Sequence, residues 1–210
     1  MEEIGRVGVL ALQGDFAAHL EILRELEVPA VTVRRPEELR GLDGLIIPGG
    51  ESTTLVKLLD SNQLLAPISA FARRHSVLGT CAGAILMASE LEDAGGVRPL
   101  GILDMTVRRN GFGRQIDSFE DEITTTVGIK SGGSARGIFI RAPRILRVGE
   151  DVEVIAIYRQ EPVAVRSRSA SPRHLALTFH PELNGVTAWH RLWLAGVFRK
   201  REFVSESPLS

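Results

Sequence analysis

Apolar runs that stop on small or chain-breaking residues, each followed by a segment of helical period, dominate the first half of this chain. Arg6–Leu12 (RVGVLAL) stops at Gln13-Gly14-Asp15, after which Phe16, Leu20, Leu23 and Leu26 recur at spacings of three and four, the mark of one buried helix face. Ala30–Val33 and Gly44–Ile47 are further strand-like runs. Pro48-Gly49-Gly50 breaks the second of them ahead of a helix carrying Leu55, Leu58 and Leu59, for which Ser52 or Thr53 is the expected cap. A helix from about Leu64 to His75 and a buried strand at Val77-Leu78-Gly79 follow. Strands and helices alternating over short links call for a parallel sheet covered on both faces.

The second half changes character. Met105–Arg108, Glu122–Val127, Gly137–Ile140, Val152–Tyr158, Pro162–Val165 and Leu175–Thr178 read as strands separated by turns, an antiparallel or mixed extension of the same sheet. A closing helix carries Trp189, Leu192, Trp193 and Val197 on one face. In 210 residues there is no internal repeat and no dividing linker, so one domain is expected over residues 1–204, with a polar, frayed tail at 205–210. The net charge of −1 offers no reason to bind nucleic acid or an anionic membrane. The basic stretch Arg166–Arg173 lacks aromatics for base stacking and reads as a solvated loop. No apolar run approaches the ~20 residues needed to cross a bilayer. The acidic start Met1-Glu2-Glu3-Ile4 lacks the features of a secretory signal, and a cytoplasmic setting is expected.

Cys81 is the sole cysteine, which excludes an internal disulfide. It stands in Gly79-Thr80-Cys81-Ala82-Gly83, between an apolar strand and the helix-like Ala84–Ala88. This is the strand–nucleophile–helix turn, with Cys in the place of Ser. Its glycines leave room for a sharp bend, and the helix start offers N–H groups that favour a thiolate and can hold an oxyanion. A buried structural cysteine is the alternative. A nucleophilic cysteine needs a base and a group to orient it. His180 follows the apolar run Leu175–Phe179 and precedes Pro181-Glu182. In an extended segment residues two apart point the same way, which sets Glu182 beside His180. His-Pro-Glu alone could equally be a surface turn, but both motifs follow strands of an α/β sheet, where sites gather. His75 and His190 read as structural, and no two histidines have metal-ligand spacing, so no metal or other cofactor is expected. Pro48-Gly49-Gly50-Glu51-Ser52 fits neither phosphate-loop pattern. Its expected use is an oxyanion donor at Gly50, leaving Glu51 for a cationic group on the substrate, with an ordinary strand-to-helix turn as the alternative.

Six stretches together carry a resemblance: Leu10-Ala11-Leu12-Gln13-Gly14-Asp15, Pro48–Thr54, Gly79–Gly83, Arg109-Asn110-Gly111-Phe112-Gly113-Arg114-Gln115, Phe139-Ile140-Arg141-Ala142-Pro143 and Phe179-His180-Pro181-Glu182-Leu183. Spread over nearly the whole chain, they resemble the glutaminase subunits of pyridoxal 5′-phosphate synthases, a branch of the triad glutamine amidotransferases. The elbow and the His-Pro-Glu segment are common to the wider class; the first, fourth and fifth stretches distinguish the branch. Gly111, where the branch more often has a small side chain, and the arginine-rich Arg166–Arg173 depart from its pattern. The resemblance implies hydrolysis of L-glutamine through a γ-glutamyl thioester on Cys81, with His180 as acid and base, Glu182 orienting it, and Gly50 and Ala82 N–H groups holding the oxyanion. It further implies a glutamine site lined by Gly49, Gly50, Glu51, Arg109, Ile140 and Arg141. It also implies docking on a (β/α)8-barrel synthase in a large hetero-oligomer, coupled to activity through Gln13, Gly14 and Asp15. A glutaminase serving another acceptor and a non-catalytic docking subunit are the competing readings. The fold that alternation and resemblance both favour is α/β, three-layered and flavodoxin-like: a mixed, mainly parallel sheet with helices on both faces and an antiparallel extension.

Overall fold

Three buried runs of the first half, Val7–Leu10, Gly44–Ile47 and Ser76–Thr80, lie side by side because each has to be covered on both faces, and the half-buried Ala30–Val33 forms the edge beside them. The computed structural model describes residues 5–109, 111, 118–128, 135–169 and 171–198. It begins with β1 (Val7–Leu10), α1 (Phe16–Glu25), β2 (Ala30–Val33), β3 (Gly44–Ile47), α2 (Ser52–Ser61), α3 (Leu65–Ala72), β4 (Ser76–Thr80) and α4 (Ala82–Met87). There follow β5 (Ala88–Leu91), β6 (Leu103–Arg108), β7 (Ser118–Thr125), β8 (Ala135–Ile140), β9 (Arg144–Val148), β10 (Val152–Tyr158), β11 (Glu161–Ser167), β12 (Leu175–Leu177) and α5 (Ala188–Val197). Short 3-10 turns occupy Pro36–Leu39 and Pro181–Asn184.

Among the described residues, nine strands form one sheet in the order β2-β1-β3-β4-β12-β11-β10-β7-β8. The first five run parallel, and β11, β10, β7 and β8 continue antiparallel. The parallel part has the doubly wound 2-1-3-4-5 order, whose strand order reverses between β1 and β3. The three-layer α/β expectation holds. Successive strand residues divide between two cores: Leu45, Ile47 and Val77 pack with α2, α3 and α4, whereas Val9, Ile46 and Leu78 pack with Leu23 of α1 and Trp189 and Trp193 of α5.

Three local expectations are corrected. β6 does not extend the main sheet but pairs with β5 and β9 in a separate three-stranded sheet. Its Leu103, Met105 and Val107 are buried while Asp104 is exposed, and a strand apolar on one face alone suits a sheet laid over the core rather than its middle. The helix read as reaching His75 ends at Ala72, and His75 stacks on Phe71 with ring centroids 4.5 Å apart. The Arg166–Arg173 stretch is not all solvated loop: Arg166 lies in β11 and donates to Glu153 at 2.8 Å. The tail at 205–210 lies outside the described residues. At the amino-terminal edge of the sheet, remote from the carboxyl ends of the strands, the Phe198 ring lies directly against Gly5. No helix among the described residues is long and apolar enough to cross a membrane.

Candidate active site

The bend between β4 and α4 is a strained one. Cys81 has φ 48° and ψ −103°, a conformation non-glycine residues rarely adopt. Its backbone is pinned on both sides: the Cys81 N–H donates to the Leu177 carbonyl at 2.8 Å, and its carbonyl accepts from Ile85 at 3.1 Å. The turn closes only because its glycines are bare. A side chain on Gly83 would overlap the Ile47 carbonyl, and one on Gly79 would come within 2.7 Å of the Gly83 backbone. Cys81 is 6% exposed, with Sγ 3.7 Å from the Ile140 carbonyl.

His180 comes to this thiol from the end of β12. Its Nδ1 lies 2.7 Å from Glu182 Oε1, and both residues are buried. The pairing was expected from an extended segment. Instead, Pro181 opens a 3-10 turn that brings Glu182 round, because the fixed φ of proline suits the first position of a helix. Burial alone would lower the His180 pKa. Hydrogen bonds and charge from Cys81 and Glu182 outweigh it and push the imidazole up to about 10, so His180 is an imidazolium at neutral pH. Gly49 closes over the pair: a side chain there would strike His180 Cε1 and come within 3.2 Å of Cys81 Cβ.

The loop after β3 is held from three directions. The Gly49 N–H donates to Thr80 Oγ1 at 3.0 Å. The Gln13 amide accepts from the Glu51 N–H and donates to the Glu51 carbonyl, each at 3.3 Å. Gly14, at φ 81°, lies so close to the Gly49 carbonyl that no side chain would fit. Gly50 is exposed at φ 146°. Glu51, rather than Ser52 or Thr53, caps α2, accepting from the Thr53 and Thr54 N–H groups at 3.0 and 2.6 Å. Burial resists its ionisation, but the hydrogen bonds from Thr54 and Thr53 prevail and bring its carboxyl down to about 2. Its carboxylate therefore has protein partners as well as facing the cavity. Arg109 donates to Thr53 Oγ1 at 3.1 Å and to the Ala94 carbonyl at 2.9 Å, and lies 3.9 Å from Glu51 Oε1.

A cavity of about 290 Å³ collects these groups. Asp15, Gly49, Gly50, Glu51, Cys81, Arg109, Ile140, Arg141 and His180 all line it. Ala82 starts α4 beside Cys81, Glu182 stands behind His180, and Gln13 and Gly14 stand behind the loop. Asn110 and Phe112–Gln115 lie outside the described residues. The arrangement couples a cysteine to a carboxylate-backed imidazolium, with cations and backbone donors around a space sized for a small polar molecule.

The sequence pattern of the SNO glutamine amidotransferase family matches residues 9–197. The chain belongs to that family. The pyridoxal 5′-phosphate synthase subunit PdxT of Mycobacteroides abscessus is 51% identical over 193 residues, covering 90% of this chain and 95% of the relative. That of Rhodococcus jostii is 48% identical over 196 residues, covering 90% and 95%. A crystal structure of a glutamine amidotransferase superposes with TM-score 0.82 at 44% identity, covering 91% of this chain and 98% of the other. The structure of PurLQS from Thermotoga maritima, 15% identical with TM-score 0.66 over 91% of this chain and 98% of the matched one, shares the fold.

Two residues of this SNO amidotransferase are not found from the sequence alone. Thr80 reads there only as part of the elbow, yet its hydroxyl holds the Gly49 N–H. His19 lies on α1, wholly buried, with Nε2 3.3 Å from Thr80 Oγ1 and 3.6 Å from Glu182 Oε1. The available signal was a histidine within the apolar face that Phe16, Leu20 and Leu23 define, a costly place for a polar ring without partners.

Proposed function

We infer that Cys81, His180 and Glu182 carry out glutamine hydrolysis in this chain, the glutaminase subunit of pyridoxal 5′-phosphate synthase, which supplies ammonia to its synthase partner. The observation that carries the residue assignment is the strained Cys81 paired with an imidazolium that Glu182 holds at 2.7 Å.

The Cys81 thiolate attacks the side-chain amide carbon of glutamine, and the N–H groups of Gly50 and Ala82 receive the developing oxyanion. The imidazolium of His180 protonates the departing nitrogen, so ammonia leaves and a γ-glutamyl thioester remains on Cys81. Neutral His180 then takes a proton from water, whose oxygen attacks the thioester; glutamate departs and the thiolate is restored. Glu182 keeps the imidazole oriented and offsets its charge in both steps. Because the Gly49 N–H is occupied by Thr80, Gly50 is the better donor from the loop. Arg109 and Arg141 take the α-carboxylate of glutamine, and Glu51 its ammonium, with Gly49 and Ile140 completing the site; their positions around the cavity support this.

Residues 1–204 act as one glutaminase domain in this reading, and its partner is a (β/α)8-barrel synthase within a large hetero-oligomer. Gln13, Gly14 and Asp15 couple docking to chemistry, a role favoured by the contacts of Gln13 and Gly14 with the Gly49–Glu51 loop. A cytoplasmic setting belongs with a lone nucleophilic thiol, which a reducing compartment protects. The test is glutamate release from glutamine with and without the synthase, with Cys81→Ala as control. Stimulated release that the variant lacks supports the reading; a wild-type complex that releases none, or a Cys81→Ala complex that releases as much, overturns it.

A further inference from the structure

Behind the triad lies a polar chain that hydrolysis by Cys81, His180 and Glu182 does not itself use. His190 on α5 and His19 on α1 are both fully buried, and His19 Nδ1 lies 2.9 Å from His190 Nε2. The other ring nitrogen of His19 faces two site residues at once, Thr80 Oγ1 at 3.3 Å and Glu182 Oε1 at 3.6 Å. Burial, and then the neighbouring His190 and His180, hold the His19 pKa well below 6.5, so the ring is neutral. A neutral imidazole has one N–H, and the direction of that bond decides what the ring does. A lone pair on Nε2 turned towards the carboxylate oxygen Glu182 Oε1, 3.6 Å away, would be repelled. The tautomer with the proton on Nε2 turns an N–H towards the carboxylate and Thr80, while Nδ1 accepts from His190. This is the pattern in which one ring nitrogen is fixed by the hydrogen bond at the other.

We propose that His19 is a positioning residue for the glutaminase reaction, its Nε2–H setting Glu182 and Thr80 together from helix α1. Through Glu182 it acts on His180; through Thr80 it acts on Gly49 and the loop that carries the oxyanion donor. Helix α1 starts at Phe16, directly after Gln13-Gly14-Asp15. A shift of that segment on docking is therefore felt at the triad carboxylate and at the loop through the same ring. The inference rests on the assignment of Cys81, His180 and Glu182.

The experiment measures glutamine hydrolysis by the complex with its synthase, comparing wild type with His19→Gln, His19→Asn and His19→Leu. The Gln amide nitrogen can occupy the place of Nε2, whereas that of Asn corresponds to Nδ1 and faces His190. His19→Asn and His19→Leu are expected to lose about tenfold to hundredfold in kcat with KM little changed, and His19→Gln to recover most of the loss. Equal impairment of Gln and Asn, a change confined to KM, or unchanged kcat in all three would overturn the proposal. Nitrogen-detected imidazole spectra of the wild-type protein provide a measurement that needs no variant to fold: a neutral His19 protonated at Nε2 is expected, and protonation at Nδ1 would overturn it. A wild-type complex with no glutaminase activity would remove the underlying assignment instead, and the proposal with it.

Discussion

The side-chain amide of Gln13 clasps the backbone of Glu51, accepting from its N–H and donating to its carbonyl at 3.3 Å each. A residue following β1 thus acts as a pairing neighbour for the loop following β3, at the point where the strand order reverses. Thr80, the close approach of Gly14 and the capping of α2 by Glu51 secure the same loop. Gln13→Ala is expected to lower synthase-stimulated glutamate release at least tenfold, since loop geometry is what it removes. Stability should change by no more than about 1 kcal/mol, the net worth of exposed hydrogen bonds. Steady-state assays with saturating synthase, alongside thermal unfolding, check both parts.

Gly49 lets the loop approach the catalytic imidazole closely. Gly49→Ala puts a methyl group against His180 Cε1, so either the imidazole or the loop must move. A misplacement of about 1 Å can cost a hundredfold in rate, and a loss of at least that size is expected in kcat/KM. Gly128→Ala, where a side chain would meet nothing within 4 Å, should leave both rate and unfolding temperature unchanged.

Backbone strain at Cys81 predicts a separation of stability from activity. The φ of 48° costs on the order of 1–3 kcal/mol in a non-glycine residue, whereas glycine adds only about 0.5–1 kcal/mol of chain entropy. Cys81→Gly should therefore be inactive and at least as stable as Cys81→Ala, as calorimetry of the two would reveal.

Four buried histidines set a stability optimum. Burial holds His174 at about 4, His190 at about 3, and His19 well below 6.5. Below pH 6.5 the unfolded chain takes up protons that the folded chain refuses, so stability present above 6.5 is lost as pH falls towards those values. The slope reaches about 1.4 kcal/mol per pH unit for each histidine. His180 works in the opposite sense. Raised to about 10, it contributes stability that is fully present below 6.5 and lost as pH rises to about 10. Unfolding temperature is expected to peak near pH 6.5 and fall on both sides, with the acid arm the steeper because three groups share it. A monotonic profile would contradict this.

What could be read from the sequence follows from how local the physics is. Gly44–Ile47 and Val77–Gly79 announce buried parallel strands because they are apolar on both faces, and the elbow at Cys81 declares itself through glycines that a sharp turn requires. β5 and β9 do not stand out in the sequence because both are short and carry exposed polar residues, such as Glu90 and Arg147, that resemble loop; only pairing with β6 makes them strands. Strand alternation predicts the pairing of Glu182 with His180, but Pro181 delivers it by a 3-10 turn. Ser and Thr are the usual caps, but at α2 the longer Glu51 side chain reaches two N–H groups from one position further back. His19 stands out only as a polar ring on an apolar helix face, and the sequence gives it no role: its partners lie 61 to 171 residues away, and nothing local marks them.

The contact between Gly5 and Phe198 has a practical side. It brings the two ends of the described chain together on the rim farthest from Cys81, whereas the cavity and the Gln13–Asp15 segment share the opposite rim. A fluorophore, surface tether or fused reporter attached beside either residue would stand clear of both the cavity and the Gln13–Asp15 segment. The same closeness means that a short peptide could join the ends and new termini be opened in a remote surface turn. The protein is thus laid out for handling from behind, with its working edge left free.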